Sequence, residues 1–297
     1  MAITSALLGM IRGRGVWRFG AALLVLAFPV AAHQINRQAW GIPAFCVWRV
    51  TSGQLRDKCH AEINGVRIYY ETYGDGPPVL VLHGAGAFLE SMHYHITGLA
   101  PDHTVIAVDS RAQGRSTDSD VPITYGLMAD DMIKLLDSIH LEKVDVVGWS
   151  DGGIIGLDMA MNHPDRVRRL VVIGANYDVD GIDPKVLADP EALGADDAEL
   201  VYDLIAPDPS HFQVVLNKLT TMLHTEPHYT VAQLGRILSP TLVVAGENDV
   251  ILSDHTATLA AAIPGAKKVI VPGASHMGPL EEPDLYNNLV LEFLDAP

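Results

Sequence analysis

The sequence predicts an α/β domain in which a mostly parallel eight-stranded sheet is flanked by helices. Short Val/Leu/Ile-rich runs alternate with longer amphipathic stretches from Ala61 onward. Continuous apolar runs are typical of strands that are covered on both faces, as the strands of parallel sheets are. The composition, 48% hydrophobic and 19% charged over 297 residues, fits one large folded domain and excludes a disordered or coiled-coil chain.

The predicted strands follow one another in chain order. The first two strands are expected to form a hairpin from Glu62 to Glu71. Its turn is placed at Asn64-Gly65, because these residues tolerate the positive φ of a tight turn. Helices are expected from Tyr125 to Ile139, where apolar residues share one face, and from Leu285 to Leu294. The remaining strands are expected at Pro78–Leu82, Thr104–Val108, Val144–Val147, Leu170–Ile173, Thr241–Ala245 and Lys268–Val271.

The alternation is interrupted once, between Asn176 and Pro240, where Pro and Asp recur and no strand pattern is present. We therefore expect a helical cap at residues 177–239, inserted into a core formed by residues 61–176 and 240–297. The cap segment holds 11 acidic and three basic residues. This charge would favour cationic or neutral ligands at the entrance of a site, or it forms a solvated acidic face.

The N-terminus has the pattern of a targeting segment. Arg12, Arg14 and Arg18 precede an apolar run from Phe19 to Ala32. This run is shorter than the about 20 residues that a membrane helix needs, so we expect no stable membrane span. Residues 1–32 are predicted to be a signal peptide of an exported protein, followed by an N-terminal extension at residues 33–60. The alternatives are a cytoplasmic protein with an over-extended reading frame and a membrane-tethered form.

Charge and cysteine content exclude several classes of function. The net charge is −16, and the first sixty residues hold seven of the 20 basic residues but one of the 36 acids. Such an acidic body excludes nucleic acid as a partner, since that affinity depends on basic residues. The only cysteines, Cys46 and Cys59, cannot form a four-cysteine zinc site, although they could pair in an oxidising compartment. The sequence gives no indication of oligomeric state.

Ser150 is the candidate nucleophile. It lies in Gly148-Trp149-Ser150-Asp151-Gly152-Gly153, between a Val-rich strand and an apolar helical run. In this context G-x-S-x-G predicts a nucleophile elbow, in which glycines allow the strained turn that projects the serine hydroxyl. The alternative is an ordinary glycine turn with a solvated serine.

A serine hydroxyl needs a base and an orienting acid. His276 follows the last predicted strand, and Asp249 follows the strand before it. The chain order Ser150, Asp249, His276 is the order expected for this type of triad. Asp254 and Asp178 are the alternatives to Asp249.

An oxyanion intermediate needs two backbone donors, one after the nucleophile and one after an earlier strand. We expect the amides of Asp151 and Ala85, the latter in His83-Gly84-Ala85-Gly86. We expect His83 to be structural, and the charges from Asp109 to Ser116 to organise loops rather than to take part in chemistry.

No metal and no cofactor are expected, and the predicted partner is a small-molecule substrate. Two histidine pairs, His93/His95 and His224/His228, have spacings that metal ligands can show. Pro227 interrupts the second pair, and solvated or core imidazoles explain both. No P-loop is present, and no G-x-G-x-x-G follows a strand, so a nucleotide cofactor is not implied.

These motifs together resemble the α/β-hydrolase superfamily over residues 61–297, which implies the α/β-hydrolase fold. Residues 148–153 and Gly174-Ala175-Asn176 are further similar to the valacyclovir hydrolase (biphenyl hydrolase-like) family, which cleaves α-amino acid esters. In that family the acid after the nucleophile binds the substrate ammonium, so the resemblance implies this role for Asp151. Without this resemblance, Asp151 is equally well explained as an acid that is stabilised at a helix N-terminus.

The predicted function is a serine hydrolase that cleaves a small carboxylic ester through an acyl-enzyme. The same triad can serve a lactonase, a perhydrolase or a carbon-carbon bond hydrolase. A haloalkane dehalogenase is disfavoured, because Ser150 stands where an acid nucleophile would be needed. A non-catalytic binding module of the same fold is the alternative of a different class, and it predicts a broken triad.

Overall fold

The computed structural model describes residues 37–188 and 195–296. The predicted signal peptide at residues 1–32 lies outside these residues. The sheet contains eight strands in the order β1-β2-β4-β3-β5-β6-β7-β8, with β2 antiparallel to both of its neighbours and the other pairs parallel. This confirms the predicted fold class. The strands are β1 Leu55–Ile63, β2 Val66–Tyr73, β3 Pro78–Leu82, β4 Thr104–Val108, β5 Val144–Trp149, β6 Val167–Ile173, β7 Thr241–Asn248 and β8 Lys267–Ser275.

Helices cover both faces of the sheet and enclose two apolar cores. One core joins α3 and α4 to the sheet, and the other joins α1, α2 and α11 to the opposite face. The helices are α1 Arg37–Thr51, α2 His93–Leu99, α3 Tyr125–Ser138, α4 Asp151–Asn162, α5 Pro184–Leu187, α6 Ala195–Ile205, α7 Phe212–Thr225, α8 Val231–Leu234, α9 Ser253–Ala262, α10 Gly278–Glu281 and α11 Pro283–Leu294.

The sheet begins earlier in the chain than the sequence predicts. Strand β1 starts at Leu55 and pairs with β2 as far as Ile63, so the predicted hairpin is the inner end of a longer one. Most β1 side chains are exposed or half-buried, because β1 is an edge strand. Helix α1 precedes β1, and its Phe45 is 2% exposed within the second core.

The segment between β6 and β7 is helical in its described part, with α5, α6, α7 and α8 and short 3₁₀ turns. It is anchored to the core at Asp118, in the loop after β4. The Asp118 carboxylate accepts hydrogen bonds from Lys218 Nζ at 2.7 Å and from His211 Nε2 at 2.9 Å. These contacts attach the segment to the loop at the carboxyl end of β4.

Cys46 and Cys59 are both free thiols in the structure. Among the described helices, none combines the length and the hydropathy that crossing a bilayer requires.

Candidate active site

Ser150 follows β5 directly and precedes α4, with φ 55° and ψ −121°. This left-handed conformation is strained for a residue with a side chain, and it turns the hydroxyl away from the sheet. The flanking glycines are required by space. A Cβ at Gly148 would lie 2.1 Å from the carbonyl oxygen of Gly152, and one at Gly152 would lie 2.2 Å from that of Leu82.

His276 and Asp249 meet Ser150 at the carboxyl ends of the strands. His276 Nε2 lies 3.1 Å from Ser150 Oγ, and His276 Nδ1 lies 2.8 Å from Asp249 Oδ1. An ionised carboxylate only accepts, so Nδ1 carries the proton and Nε2 is free to accept the serine proton. The amide of Ile251 also donates to Asp249 Oδ1 at 3.0 Å, which fixes the carboxylate.

The backbone at Gly174 passes too close to His276 to carry a side chain. Gly174, at φ 55°, faces the Asp249–His276 pair, and a Cβ there would lie 3.0 Å from both Asp249 Oδ2 and His276 Nδ1. The indole of Trp149 donates to the His276 carbonyl oxygen at 3.0 Å. Residues at the ends of β5, β6 and β7 therefore position the imidazole of His276.

The other two candidate acids lie elsewhere. Asp254 is exposed in the first turn of α9. Asp178 caps the turn that follows it and lies 3.1 Å from His228 Nδ1. The structure therefore brings Asp249, and neither alternative, to His276.

The loop after β3 places backbone donors beside Ser150. A Cβ at Gly84 would lie 3.1 Å from Ser150 Cβ, so the loop passes against the nucleophile. The amide of Gly86 donates to Gln113 Oε1 at 2.8 Å, and that of Ala87 donates to the Gly84 carbonyl at 3.3 Å. Among the described residues, the Ala85 amide has no acceptor. The amide of Asp151, in the first turn of α4, likewise lacks an intrahelical acceptor.

His83 supports this loop from inside the fold. Burial lowers the pKa of its imidazole to about 4, so the ring is neutral at physiological pH. Its Nδ1 donates to the Gly84 carbonyl at 2.7 Å, and its Nε2 accepts from the Ser110 amide at 3.0 Å. The position of Gly84 against Ser150 thus depends on a neutral His83.

Asp151 is a buried carboxylate, 3% exposed. Its Oδ1 accepts a hydrogen bond from the Tyr125 hydroxyl at 2.9 Å, whereas its buried Oδ2 has no partner among the described residues. Burial raises the pKa of Asp151 to about 6, against the opposing effects of the Tyr125 hydroxyl and of His276. Such an oxygen lacks the hydrogen bond that buried polar atoms normally have.

An apolar pocket opens between this loop and the cap. It borders Ala85, whose amide is one of the two donors described above. Its polar members are Gln113, which already binds the Gly86 amide, and Tyr202. Its other walls come from the loop and from α6 and α7, and they include Phe88, Val201, Ile205, Phe212, Val215, Leu216 and Leu219.

The histidine pairs with metal-like spacing have other partners. His93 Nδ1 lies 2.8 Å from the Glu90 carbonyl, and His95 Nδ1 lies 2.6 Å from Asn287 Oδ1. His224 bonds backbone carbonyls, and His228 pairs with Asp178. Within residues 37–188 and 195–296, no group of three or more His, Cys, Asp or Glu side chains is arranged to hold a metal ion.

Two residues in or near the site were not identified from the sequence. Tyr125 is predicted only as the start of a helix, and nothing in the spacing indicates that it reaches Asp151, 26 residues away. Glu90 is also absent from the predicted site, although it lies in the turn that continues the Ala85 loop. The charges from Asp109 to Ser116 do organise loops, since Asp109 accepts hydrogen bonds from the amides of Leu89 and Arg115.

Comparison with known proteins gives consistent matches. The sequence profile of the alpha/beta hydrolase family matches residues 79–289. A protein of Azorhizobium caulinodans named "Putative carbamate hydrolase RutD" is 30% identical over 252 residues, which are 76% of this chain and 94% of the relative. "Serine hydrolase BPHL" of Mus musculus is 27% identical over 259 residues, 82% of this chain and 88% of the relative.

Among solved structures, Est816, described as an N-acyl homoserine lactone degrading enzyme, is 27% identical and superposes with a TM-score of 0.65. The match covers 79% of this chain and 99% of that structure.

Proposed function

The chain belongs to the alpha/beta hydrolase family, and on that premise we propose that it is a serine hydrolase that cleaves a small carboxylic ester through an acyl-enzyme. The observation that carries the proposal is the continuous contact from Ser150 Oγ to His276 Nε2, at 3.1 Å, and from His276 Nδ1 to Asp249 Oδ1, at 2.8 Å. An intact nucleophile, base and orienting acid argue against a binding module, which has no need of them.

The geometry supports a two-step reaction. Ser150 Oγ attacks the acyl carbon while His276 Nε2 takes the hydroxyl proton, and Asp249 stabilises the resulting imidazolium. The amides of Ala85 and Asp151 donate to the oxyanion, and loss of one such donor typically costs about 10²–10³ in rate. The intermediate then expels the alcohol, which receives its proton from His276. A water molecule attacks the acyl-enzyme by the same route and releases the carboxylic acid.

For the acyl group, we propose an α-amino acid. The buried Asp151 has an oxygen without a partner, and its pKa of about 6 leaves it ionised at neutral pH. A substrate ammonium is a suitable partner for this oxygen, because a buried charge is expensive unless it is paired. The similarity to the mouse protein named "Serine hydrolase BPHL" supports the serine mechanism on which this assignment depends.

The apolar pocket beside Ala85 supports an ester that also carries a sizeable apolar group. Its walls from α6 and α7 gain free energy from covering such a group, at about 25 cal/mol per Å² of apolar surface removed from water. The substrate then has a cationic and an apolar end.

The test compares kcat/KM for an α-amino acyl ester and its des-amino counterpart, with Ser150→Ala as the blank. Ser150→Ala should abolish turnover of both and leave the fold intact. A preference for the amino ester above about tenfold, equal to about 1.4 kcal/mol of transition-state binding, should be lost in Asp151→Asn. Turnover that persists in Ser150→Ala would refute the serine mechanism, and a ratio near one would refute the role of Asp151.

A carbamate is the second candidate substrate, favoured by the similarity to the protein named RutD. Its carbonyl is open to the same attack by Ser150. Serine-dependent release of amine from a simple carbamate, without turnover of either ester, would favour this candidate. Lactones form a third arm of the same assay, given the likeness to Est816.

A further inference from the structure

A buried ion cluster lies next to the loop that carries Ala85. It consists of Arg49, Glu71, Glu90, Asp109 and Arg115. The side chains of Glu71 and Asp109 are fully buried, and that of Glu90 is 4% exposed. The triad does not use any of these five residues.

Arg49 joins the N-terminal helix α1 to two of these acids. Its Nη1 lies 2.9 Å from Glu90 Oε1 and 3.3 Å from Glu71 Oε1. Arg115 neutralises the other side of the cluster, with its Nη1 3.1 Å from Glu90 Oε2 and 3.0 Å from Asp109 Oδ2. Glu90 is therefore held between two guanidinium groups that come from different parts of the chain.

The cluster is tied to the backbone of the loop. Asp109 Oδ1 accepts a hydrogen bond from the Leu89 amide at 2.7 Å, and Glu90 is the next residue. Four residues before Leu89, the amide of Ala85 has no acceptor among the described residues, and it directly follows Gly84, which lies against Ser150. The path of the loop past Ser150 thus depends on how Leu89 and Glu90 are held.

Arg49 is needed to balance the negative charge of the buried acids in the cluster. Three buried acids face two arginines and the half-exposed Lys58, which lies 3.7 Å from Glu71. Burial, opposed by Arg115 and assisted by Glu90, raises the pKa of Asp109 to about 6. Loss of Arg49 would leave a buried carboxylate uncompensated, which is strongly unfavourable. The groups that face Glu90 are Arg49, Arg115, Asp109, Glu71, Cys46, Tyr73, His83 and His93.

We propose that Arg49 is a positioning residue. By neutralising Glu71 and Glu90, it holds the segment from Ala85 to Glu90 so that the Ala85 amide faces the oxyanion. The family profile matches residues 79–289, so Arg49 and Glu71 lie outside the matched residues. This inference rests on the proposed function of Ser150 and Ala85.

The experiment measures how fast a fluorophosphonate labels Ser150, followed by intact mass with Ser150→Ala as the blank. In this reaction a Ser–O–P bond forms and the P–F bond breaks, with fluoride as the leaving group and the serine proton taken by His276. The anionic transition state needs the same backbone donors, and no knowledge of the substrate is required. The limiting rate constant kinact is separated from the half-saturating concentration KI.

In Arg49→Met, kinact at pH 8 should fall about tenfold with KI within about twofold, because misplaced donors act on the transition state. The ratio of variant to wild-type kinact should rise toward one at pH 6, where a buried acid takes up a proton in place of the lost charge. Arg49→Met/Glu71→Gln should recover most of the rate at pH 8, since it removes one acid. Arg49→Lys should lose less than Arg49→Met.

The matched control is Arg56→Met, which removes a surface arginine paired with the exposed Asp75 and should keep the wild-type rate. Absence of labelling in the wild type would refute the proposed function, and with it this inference. Labelling of the wild type with unchanged kinact in Arg49→Met would refute the inference alone. A loss that is equal at pH 6 and pH 8 and is not restored by Glu71→Gln would also refute it.

Discussion

Replacing Asp151 by asparagine should stabilise the protein at neutral pH. Burial raises the pKa of this carboxyl from 3.8 to about 6. Because the folded state binds the proton more tightly than the unfolded state, stability falls as the pH rises between these two values. At 1.36 kcal/mol for each tenfold change in proton affinity, ionised Asp151 costs about 3 kcal/mol above pH 6. Asparagine has a similar shape, no charge and an amide oxygen that can accept from Tyr125.

The assay is urea unfolding of both proteins at pH 4, 5, 6, 7 and 8. The free energy of unfolding of Asp151→Asn minus that of the wild type should increase by about 2 kcal/mol from pH 4 to pH 8, because pH 4 already lies above the ordinary pKa of 3.8, with most of the rise between pH 4 and pH 6. Asp102→Asn, which removes an exposed carboxylate before β4, is the control and should change stability by less than about 0.5 kcal/mol. A difference that does not depend on pH, or a variant that is less stable at pH 8, would refute the reasoning.

Two further substitutions test the rest of the site. Asp249→Asn should lower kcat by about 10³–10⁴ with the fold intact, because the imidazole would adopt the wrong tautomer, whereas Asp254→Asn should keep wild-type kcat; equal losses in the two variants would contradict the assignment. Leu219→Trp should fill the pocket between the Ala85 loop and α7 and lower kcat/KM at least about tenfold for esters with a large apolar group, but not for acetyl esters. Val214→Trp, on the exposed side of α7, is its control, and equal losses for both ester sizes would contradict the role of the pocket.

The loss of stability that we expect from an ionised Asp151 bears on the function of this residue. The site contains a second unfavourable feature, the left-handed backbone of Ser150. Each of these features would be relieved by a simple substitution. Proteins commonly keep such local strain or charge where activity requires it. Binding of a substrate ammonium would pair the Asp151 carboxylate, so the same group that lowers stability would increase affinity.

The parts of the fold that the sequence predicts well are those buried on both faces. The boundaries of β3 and β4 coincide with the predicted runs, because in each strand the four residues after the first are apolar and buried. The outer half of β1 was not predicted, because Arg56, Asp57 and Lys58 are exposed at the edge of the sheet and break the apolar pattern. Helix α1 was not predicted, because Pro43 lies within the helix.

The candidate triad was predictable because the order of strands fixes where its members meet. Ser150, Asp249 and His276 each follow a strand of the parallel part of the sheet directly, and the carboxyl ends of parallel strands lie at one edge. The contacts of Arg49 were not predictable, since its partners are 22 and 41 residues away and share no repeating pattern with it. Long-range ion pairs of this kind depend on the folded backbone.

The folded position of residues 41–60 bears on the N-terminus of the active protein. Strand β1 pairs with β2 from Leu55 to Ile63, and the Phe45 ring stacks against Trp48 at 5.7 Å and lies 6.1 Å from Tyr73. A chain that started after residue 60 would expose this core and leave Glu71 without Arg49. Cleavage near Ala32, by contrast, would leave α1 in place. A functional role for Arg49 therefore requires residues 41–60 in the active protein.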